Sequence, residues 1–407
     1  MAQEQKDLYL YTSQQSAWLY VALAKEEELG AEDLLVVDIK VGELAPNPSS
    51  GHSWETVTEV DVLFSTDAVD PRPQWALMRL LLQIYSHLEV PVPRLSVLYG
   101  RAKPKVQPAL RIRQDGTFKI VQISDTHMVT GVRVCKDAID AYRENLPESK
   151  ADPLTVDFIG KTLDVKKPDL VVVAPIIECL IPFAAVFGNH DSEGIHVLSR
   201  MAQMSILQNL PFSLSPAPSQ LPLLTLYFLD LYGQISSKIY NPDYDYIKQS
   251  QIDCARKKED NNNPFYLSLA FLHIPLPEFS NCDLSIRKGY KREPPEGPYF
   301  NSHFYDALAR EGILALGCGH DHVNDFSFHP VPWLCYAGGS GFGGYCLYGR
   351  ERIHRRMRVW ELDMSTESLK TWKQVEYAAD RVDELVLVER GMVVEPPAEP
   401  VKGCVVV

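Results

Sequence analysis

Short apolar runs alternate with turn-rich stretches along the first hundred residues of this chain. The runs predict β-strands at 8–11, 34–41, 60–64 and 94–99. One further apolar stretch, 75–88, has a composition more typical of a helix. This region shows no spacing typical of metal ligands or of a nucleophile, so we predict a small β-rich accessory domain at 1–100.

After a linker predicted at 101–117, the pattern changes. Strand-like apolar runs now end in small clusters of Asp, Asn and His, within the segments FKIVQISDTH, FAAVFGNHD, LSLAFLHIP and ILALGCGHDH. LVVV and LTLYFLD are further apolar runs, and helix-like stretches such as 155–165 lie between the runs. The alternation predicts an α/β layered core at 118–377. In such sheets, ligands bind beyond the carboxyl ends of the strands.

The apolar stretch 170–188 is long enough for a membrane span. Glu178 and two prolines within it favour a buried strand, a short helix and a second strand instead. Further on, 358–363 and 368–376 predict a hairpin. The acidic, proline-rich sequence after this hairpin predicts a flexible tail at 378–407.

Composition narrows the class of protein. With 45% apolar and 23% charged residues the chain is globular, and its net charge of −13 argues against a nucleic-acid or anionic-membrane partner. Eight cysteines in 407 residues are too few for a disulfide scaffold, and the absence of a C-x-x-C pair disfavours a structural zinc site. The first residues lack the apolar core of a signal peptide, so we expect a cytoplasmic or nuclear protein.

The strand-end clusters hold the candidate chemistry. Asp125 and His127 are two residues apart, so both side chains lie on one face of a strand and can point at one ion. The same holds for His320 and His322. Each pair alone is more typical of a hydrogen-bonded surface pair. In combination, imidazole and carboxylate groups suit borderline to hard divalent metals.

The four blocks ISDTH, GNHD, FLHIP and GCGHDH, in this order, resemble the calcineurin-like metallophosphoesterases. The sequence around them, including FAAVFGNHDSEG and PPEGPYFNSHFYDAL, is similar to the fungal branch related to the plant purple acid phosphatase-like proteins, over about residues 116–377. The resemblance implies an α/β fold, a layered metallophosphoesterase β-sandwich core flanked by helices, beside the small β-rich N-terminal domain.

The same resemblance implies two divalent or trivalent metal ions, Fe, Mn or Zn. The ligands that it implies are Asp125, His127 and His322 for one ion, and Asn189, His273 and His320 for the other. His190 would face the phosphate as an electrostatic stabiliser or leaving-group acid, oriented by Asp191. The implied reaction is hydrolysis of a phosphomonoester, on a phosphorylated small molecule or a phosphoprotein, by attack of a metal-bound hydroxide.

One block of the family pattern is absent from this sequence. A Gly-Asp pair whose aspartate bridges the two metals should come after the second strand, but 170–173 runs into Ala174 and Pro175. Only nine residues, 174–182, separate this run from the next, fewer than a parallel crossover usually needs. We therefore predict that a segment near 173–175 is missing, either through a splicing or gene-model error or through genuine loss.

Three hypotheses about function stay open. The first is the dimetal phosphatase. The second is a catalytically impaired relative that acts as a binding or regulatory protein, because the bridging aspartate is missing. The third is a metal hydrolase of another ester or amide, which substrate profiling would separate from the first.

Three smaller motifs carry weaker signals. Gly339-x-Gly341-x-x-Gly344 matches a dinucleotide-binding pattern, but no helix is predicted after it, so we interpret it as glycine-rich chain near the strand ends. The basic run 287–292 is interpreted as a solvated loop, with choice of an anionic substrate as the alternative. Cys404 fits a C-a-a-X prenylation site, so a membrane partner is expected only if Cys404 is prenylated.

Overall fold

The computed structural model divides the chain into two compact units. Described are residues 5–9, 18–21, 57–64, 70, 72, 74–81, 93–99, 110–128, 134–146, 150–173, 181–192, 200–208, 210, 212–214, 219–221, 224–230, 234–235, 243–256, 267–329 and 331–394. The first unit comprises Met1–Val106, Glu193–Ser199 and Asn209–Pro211, and the second comprises Gln107–Ser192, Arg200–Gln208 and Phe212–Val407. The division after Val106 falls inside the linker predicted at 101–117; the other predicted boundaries stay predictions.

The first unit is β-rich where the structure describes it. Its strands are β1 (Gln5–Tyr9), β2 (Trp18–Val21), β3 (Val57–Phe64), β4 (Trp75–Leu81) and β5 (Pro93–Tyr99). β1 pairs with β2, and β5 lies between β3 and β4, all antiparallel. The helical character predicted for 75–88 is wrong over β4, because pairing with the buried strand β5 overrides local composition. The strand predicted at 34–41 lies outside the described residues.

The second unit alternates strands and helices. Its α-helices are α1 (Ala151–Lys166), α2 (Arg200–Leu207), α3 (Gln249–Arg256) and α4 (Phe304–Arg310). Its strands are β6 (Thr117–Ile123), β7 (Leu170–Val173), β8 (Phe183–Ala185), β9 (Ser219–Leu221), β10 (Leu224–Phe228), β11 (Gln234–Ile235), β12 (Asp243–Tyr244), β13 (Leu267–Phe271), β14 (Ile286–Lys288), β15 (Ala315–Cys318), β16 (Ser327–Phe328), β17 (Trp333–Tyr336), β18 (Leu347–Tyr348), β19 (Glu351–Arg352), β20 (Arg356–Asp363), β21 (Ser368–Val375), β22 (Val382–Glu389) and β23 (Met392–Val393).

Two seven-stranded sheets form the framework of this unit. One has the order β14-β16-β17-β15-β13-β10-β9, and the other has the order β23-β22-β21-β20-β6-β7-β8. Neighbouring strands from β17 to β10 run parallel, as do β6, β7 and β8. Parallel neighbours bring their carboxyl ends to the same edge of a sheet, and the predicted site residues lie just beyond those ends.

Apolar side chains of both sheets form one shared core. Phe271 on β13 and Trp360 on β20 are 1% and 0% exposed, and their rings meet edge to face at 5.8 Å. On the opposite face of β13, β15 and β17, Phe304 and Leu308 of α4 pack with Ile252 of α3. Helices on a sheet that packs on a second sheet confirm the predicted α/β layered fold.

The flexible tail predicted at 378–407 is wrong over its first part. Within it, β22 pairs antiparallel with β21, and β23 pairs with β22. Leu387 and Val388 are buried in the core between the sheets. Burial of these apolar side chains outweighs the effect of the charged residues beside them. Residues 395–407, including Cys404, lie outside the described part of the chain.

Strand β7 lies between β6 and β8. Ile123 pairs with Val173, and Val173 pairs with Ala185. Both strands predicted within 170–188 are therefore present, and 174–182 connects two parallel neighbours although a crossover usually takes about a dozen residues. The helix predicted between them falls mainly on residues outside the described part. In the described ranges, no helix combines the length and hydropathy needed to cross a bilayer.

Truncating the side chain of Phe271 should destabilise the protein. We expect Phe271→Ala to lower the free energy of unfolding by about 3–5 kcal/mol, because the cavity opens between two sheets that cannot both collapse into it. Tyr142→Ala, at a side chain that is 86% exposed, is the matched control. Urea unfolding measures both, and a loss below about 1 kcal/mol for Phe271→Ala would contradict the shared core.

Candidate metal centre

Polar side chains collect where four strands of the second unit end. Asp125 comes after β6, and Asn189 comes after β8 in the same sheet. His273 comes after β13, and His320 and His322 come after β15 in the other sheet. Each sheet therefore contributes residues that lie just beyond its own parallel strands, as the sequence pattern predicted. The expectation that each pair shares one face of a strand is wrong, because β6 ends at Ile123 and β15 ends at Cys318.

Asp125, His127 and His322 form the tightest group. Their ligand atoms lie within 4.8 Å of one another, a spacing that no other trio of His, Cys, Asp or Glu attains among the residues described. Nε2 of His127 lies 2.8 Å from Nε2 of His322, and Oδ1 of Asp125 lies 3.6 Å from the same His322 nitrogen. Two ring nitrogens and a carboxylate oxygen thus converge on one small volume.

The other three predicted ligands adjoin this group. Nε2 of His273 lies 3.7 Å from Asp125 Oδ1 and 3.1 Å from Asn189 Oδ1. The rings of His273 and His320 meet edge-on, with their centroids 5.4 Å apart. The backbone N–H of His320 donates to the Asp125 carboxylate at 3.1 Å. The structure brings all six residues together around Asp125, and their assignment as metal ligands stays a prediction.

The backbone at this cluster is strained. Asp125, His127 and His320 have φ angles of 54°, 46° and 77°. Non-glycine residues in this left-handed region cost about 1–3 kcal/mol each and concentrate at functional sites. The fold therefore holds these three residues in conformations that a chain without a functional requirement rarely adopts.

The glycine-rich chain after β17 packs directly on the cluster. A Cβ atom at Gly341 would lie 1.8 Å from the carbonyl oxygen of Thr126, and one at Gly344 would lie 2.7 Å from both His127 Cδ2 and His322 Cε1. Only glycine permits this approach. The interpretation of Gly339-x-Gly341-x-x-Gly344 as chain near the strand ends is confirmed.

Tyr345 holds the ring of His322 in place. The two rings stack at 4.1 Å, and Nδ1 of His322 lies 3.0 Å from the carbonyl oxygen of Tyr345. This contact places the proton on Nδ1 and leaves Nε2 facing the cluster. The Tyr345 hydroxyl donates to Glu293 at 2.9 Å, across 52 residues of sequence. No motif in the sequence signals this contact.

His190 is exposed beside the cluster, with its ring centroid 6.0 Å from that of His127. The Gly188 N–H donates to the Asp191 carboxylate at 2.5 Å, and Arg200 donates to the Gly188 carbonyl at 2.5 Å. These bonds fix the turn that carries Asn189 and His190. The contact that anchors the Asp191 carboxylate is thus with Gly188, and its predicted role in orienting His190 stays a prediction.

Burial dominates the electrostatics of the cluster. It raises the pKa of Asp125 to about 8, and the nearby carboxylates of Asp321 and Glu293 act in the same direction. Burial lowers the pKa of His320 to about 4, and burial together with neighbouring imidazoles lowers the pKa values of His273 and His322. These three imidazoles are therefore neutral at pH 7, with a ring nitrogen able to bind a cation.

The donor set fits a divalent metal ion. Within the described part of the chain, the basic side chains within 4.0 Å of the buried Asp125 carboxylate are the imidazoles of His273 and His322, which are neutral at pH 7. A buried carboxylate without a permanent cation beside it is costly, and a bound metal ion would remove that cost. Neutral imidazole nitrogens and a carboxylate oxygen are ligands that Zn, Mn and Fe accept.

The three described residues predicted to hold the second ion include no carboxylate. Ile123 pairs with Val173, the last described residue of β7. The two residues that follow in the sequence, Ala174 and Pro175, lie outside the described part of the chain. Neither Ala174 nor Pro175 has a side-chain oxygen to share between two ions. Asn189, His273 and His320 therefore offer one amide oxygen and two imidazoles to a second ion.

The basic run 287–292 is not simply a solvated loop. Arg292 forms an ion pair with the buried Asp325 at 3.1 Å, and the Tyr290 N–H donates to the same carboxylate at 2.8 Å. The Arg292 N–H donates to Asn324 at 2.8 Å. The expectation of a solvated loop is therefore wrong at Arg292, which ties this loop to the chain just after His322.

The described geometry agrees with the family comparison. The family model for calcineurin-like phosphoesterases matches residues 118–324, about half of the chain. The protein belongs to the calcineurin-like phosphoesterase family, whose members use divalent metal ions. The matched region contains all six predicted metal ligands, whereas Tyr345 and the glycine-rich chain that packs on them lie beyond it.

The names of the curated relatives differ in whether they describe an active enzyme. The chain is 33% identical over 381 residues to Phosphatase DCR2 of Saccharomyces cerevisiae, covering 78% of this chain and 64% of that protein. It is 31% identical over 338 residues to Probable inactive purple acid phosphatase 29 of Arabidopsis thaliana, covering 66% and 84%. Probable inactive purple acid phosphatase 14 of the same plant is 30% identical, with 66% and 82% covered. The predicted resemblance to fungal proteins related to plant purple acid phosphatase-like proteins is confirmed, and the chain matches less than two thirds of the length of Phosphatase DCR2.

Replacing Asp125 should change how stability depends on pH. In EDTA, Asp125→Asn should become more stable than the parent chain as pH rises from about 4 to about 8. The folded-state pKa of about 8 lies above the ordinary 3.8, so the stabilising contribution of the neutral acid is lost as pH rises through the folded pKa. The histidines, whose lowered pKa values act in the opposite direction, are common to both proteins. Thermal unfolding across this pH range measures the difference in stability between Asp125→Asn and the parent chain. A difference that does not change with pH would refute the raised pKa of Asp125.

Proposed function

We propose that the chain is a metal-dependent phosphatase that hydrolyses phosphomonoesters of small molecules or phosphoproteins. The observation that carries the proposal is the convergence of the six side chains predicted to bind metal beside an exposed histidine, His190. Bound divalent ions would supply the positive charge that phosphate binding and activation of a nucleophile require. The acidic chain, with a net charge of −13, provides little of that charge itself.

Each side chain has a distinct part in this proposal. Asp125, His127 and His322 hold the first ion, and the carbonyl of Tyr345 keeps the His322 proton on Nδ1, away from the ion. Asn189, His273 and His320 hold the second ion. His190 donates a proton to the oxygen of the leaving group, because its imidazole is exposed and its ring centroid lies 6.0 Å from that of His127.

Removing the imidazole of His190 should slow catalysis without emptying the metal site. We expect His190→Ala to lower kcat for an alkyl phosphate such as phosphoserine, whose leaving oxygen needs a proton, by about 10²- to 10⁴-fold, the usual size of a general-acid effect, with the metal content unchanged. His303→Ala, at an exposed histidine beside α4, is the control. Turnover is measured with added Mn²⁺, Fe²⁺ or Zn²⁺. Turnover that survives both EDTA and His190→Ala would refute the proposal.

A second candidate function is binding or regulation without efficient catalysis. The observation that favours it is the pair Ala174 and Pro175 at the position where the family carries its bridging aspartate. Without a shared carboxylate, two cations about 4 Å apart repel each other strongly. We therefore expect weak occupancy of the second position and slow turnover in this chain.

Restoring the carboxylate tests the two functions against each other. The double variant Ala174→Gly and Pro175→Asp should raise bound metal toward two ions per chain and should raise turnover by at least about tenfold. Ala174→Gly with Pro175→Asn is the matched control, since it changes the backbone in the same way without the charge. Inserting the corresponding segment from a longer transcript should have the same effect. Equal turnover by the parent chain and the Asp variant would show that the missing aspartate does not limit activity.

A further inference from the structure

A groove on the second unit is lined by three arginines and by none of the candidate metal ligands. Its volume is about 480 Å³. Ile139, Arg143 and Asn145 line one side. The hairpin of β18 and β19 contributes Tyr348, Arg350, Glu351 and Arg352.

The three guanidinium groups are only partly neutralised. Arg143 lies 3.6 Å from Glu351, but both side chains are mostly exposed, so the pair is weak. Arg352 donates to Asn145 at 2.7 Å and lies 3.7 Å from Asp137.

Arg350 differs from its two neighbours. Among the described residues it has no hydrogen-bond or ion-pair partner, and its side chain is exposed. The three arginines carry three positive charges, and the nearby carboxylates of Glu351 and Asp137 carry two negative charges. The groove is therefore positive on the surface of a chain whose net charge is −13.

We propose that this groove binds a small anion that carries two or more phosphate groups. Guanidinium groups bind phosphate through paired hydrogen bonds, and three of them around one cavity suit more than one phosphate. The volume lies within the range of about 300–1,000 Å³ that is typical of small-molecule sites. Tyr348, which is 46% exposed, supplies an aromatic wall against the non-phosphate part of such a ligand.

The groove also lies close along the chain to the metal centre. The β18–β19 hairpin begins two residues after Tyr345, whose ring stacks on His322. The proposal does not depend on catalysis, because it concerns binding to residues outside the candidate centre.

The proposal is tested by titrating the EDTA-treated full chain with inorganic pyrophosphate. Isothermal titration calorimetry at constant ionic strength measures the binding. We expect one site, weakened at least tenfold in Arg350→Gln and less in Arg350→Lys. Arg350 makes no described structural contact, so this substitution leaves the fold intact. Arg310→Gln, at an exposed arginine of α4, should bind like the parent chain.

Asp125→Asn should also bind pyrophosphate like the parent chain, which separates this groove from the metal centre. The proposal is overturned if the parent chain does not bind pyrophosphate. It is equally overturned if Arg350→Gln binds as tightly as the parent, or if Arg310→Gln weakens binding as much as Arg350→Gln does.

Discussion

The buried carboxylate of Asp125 is the constraint around which the second unit is arranged. It is 6% exposed, and it contacts the His320 N–H and the imidazoles of His273 and His322. A carboxylate in such a place is tolerated only when hydrogen bonds and a cation compensate for its lost hydration. The strained backbone at the strand ends keeps these compensating groups in position, and the core between the two sheets keeps the strand ends together.

Much of this arrangement could be predicted because it depends on short-range sequence patterns. The apolar runs before Asp125, Asn189, His273 and His320 are strands, and parallel strands bring the residues at their carboxyl ends to a common edge. The contacts of Tyr345 could not be predicted, because its partner Glu293 lies 52 residues away and belongs to no motif. The same limit explains β4 and β22. The local composition of β4 is typical of a helix and that of β22 is typical of a flexible tail. Both form strands because they pair with a neighbouring strand.

The short connection between β7 and β8 separates fold from chemistry. The two strands remain parallel neighbours although the sequence between them is brief and the Gly-Asp pair is absent. Strand β8 lies at the edge of its sheet, so the pairings of β6 with β7 and with β20 do not involve it. A chain can therefore keep its packing and most of its donor atoms while losing the one carboxylate that two ions would share.

The position of β6 has a consequence for synthesis on the ribosome. Its antiparallel partner β20 begins more than two hundred residues later in the chain. At about 5–20 residues per second, the edge of β6 stays without that partner for roughly ten to fifty seconds. Over that interval Phe118 and Ile120, which are buried in the finished core, lack the facing side chains of Trp360 and Leu362. A nascent chain with this exposed apolar strand is of the kind that chaperones bind. A polypeptide released before β20 is translated would expose the unpaired edge of β6, which favours aggregation.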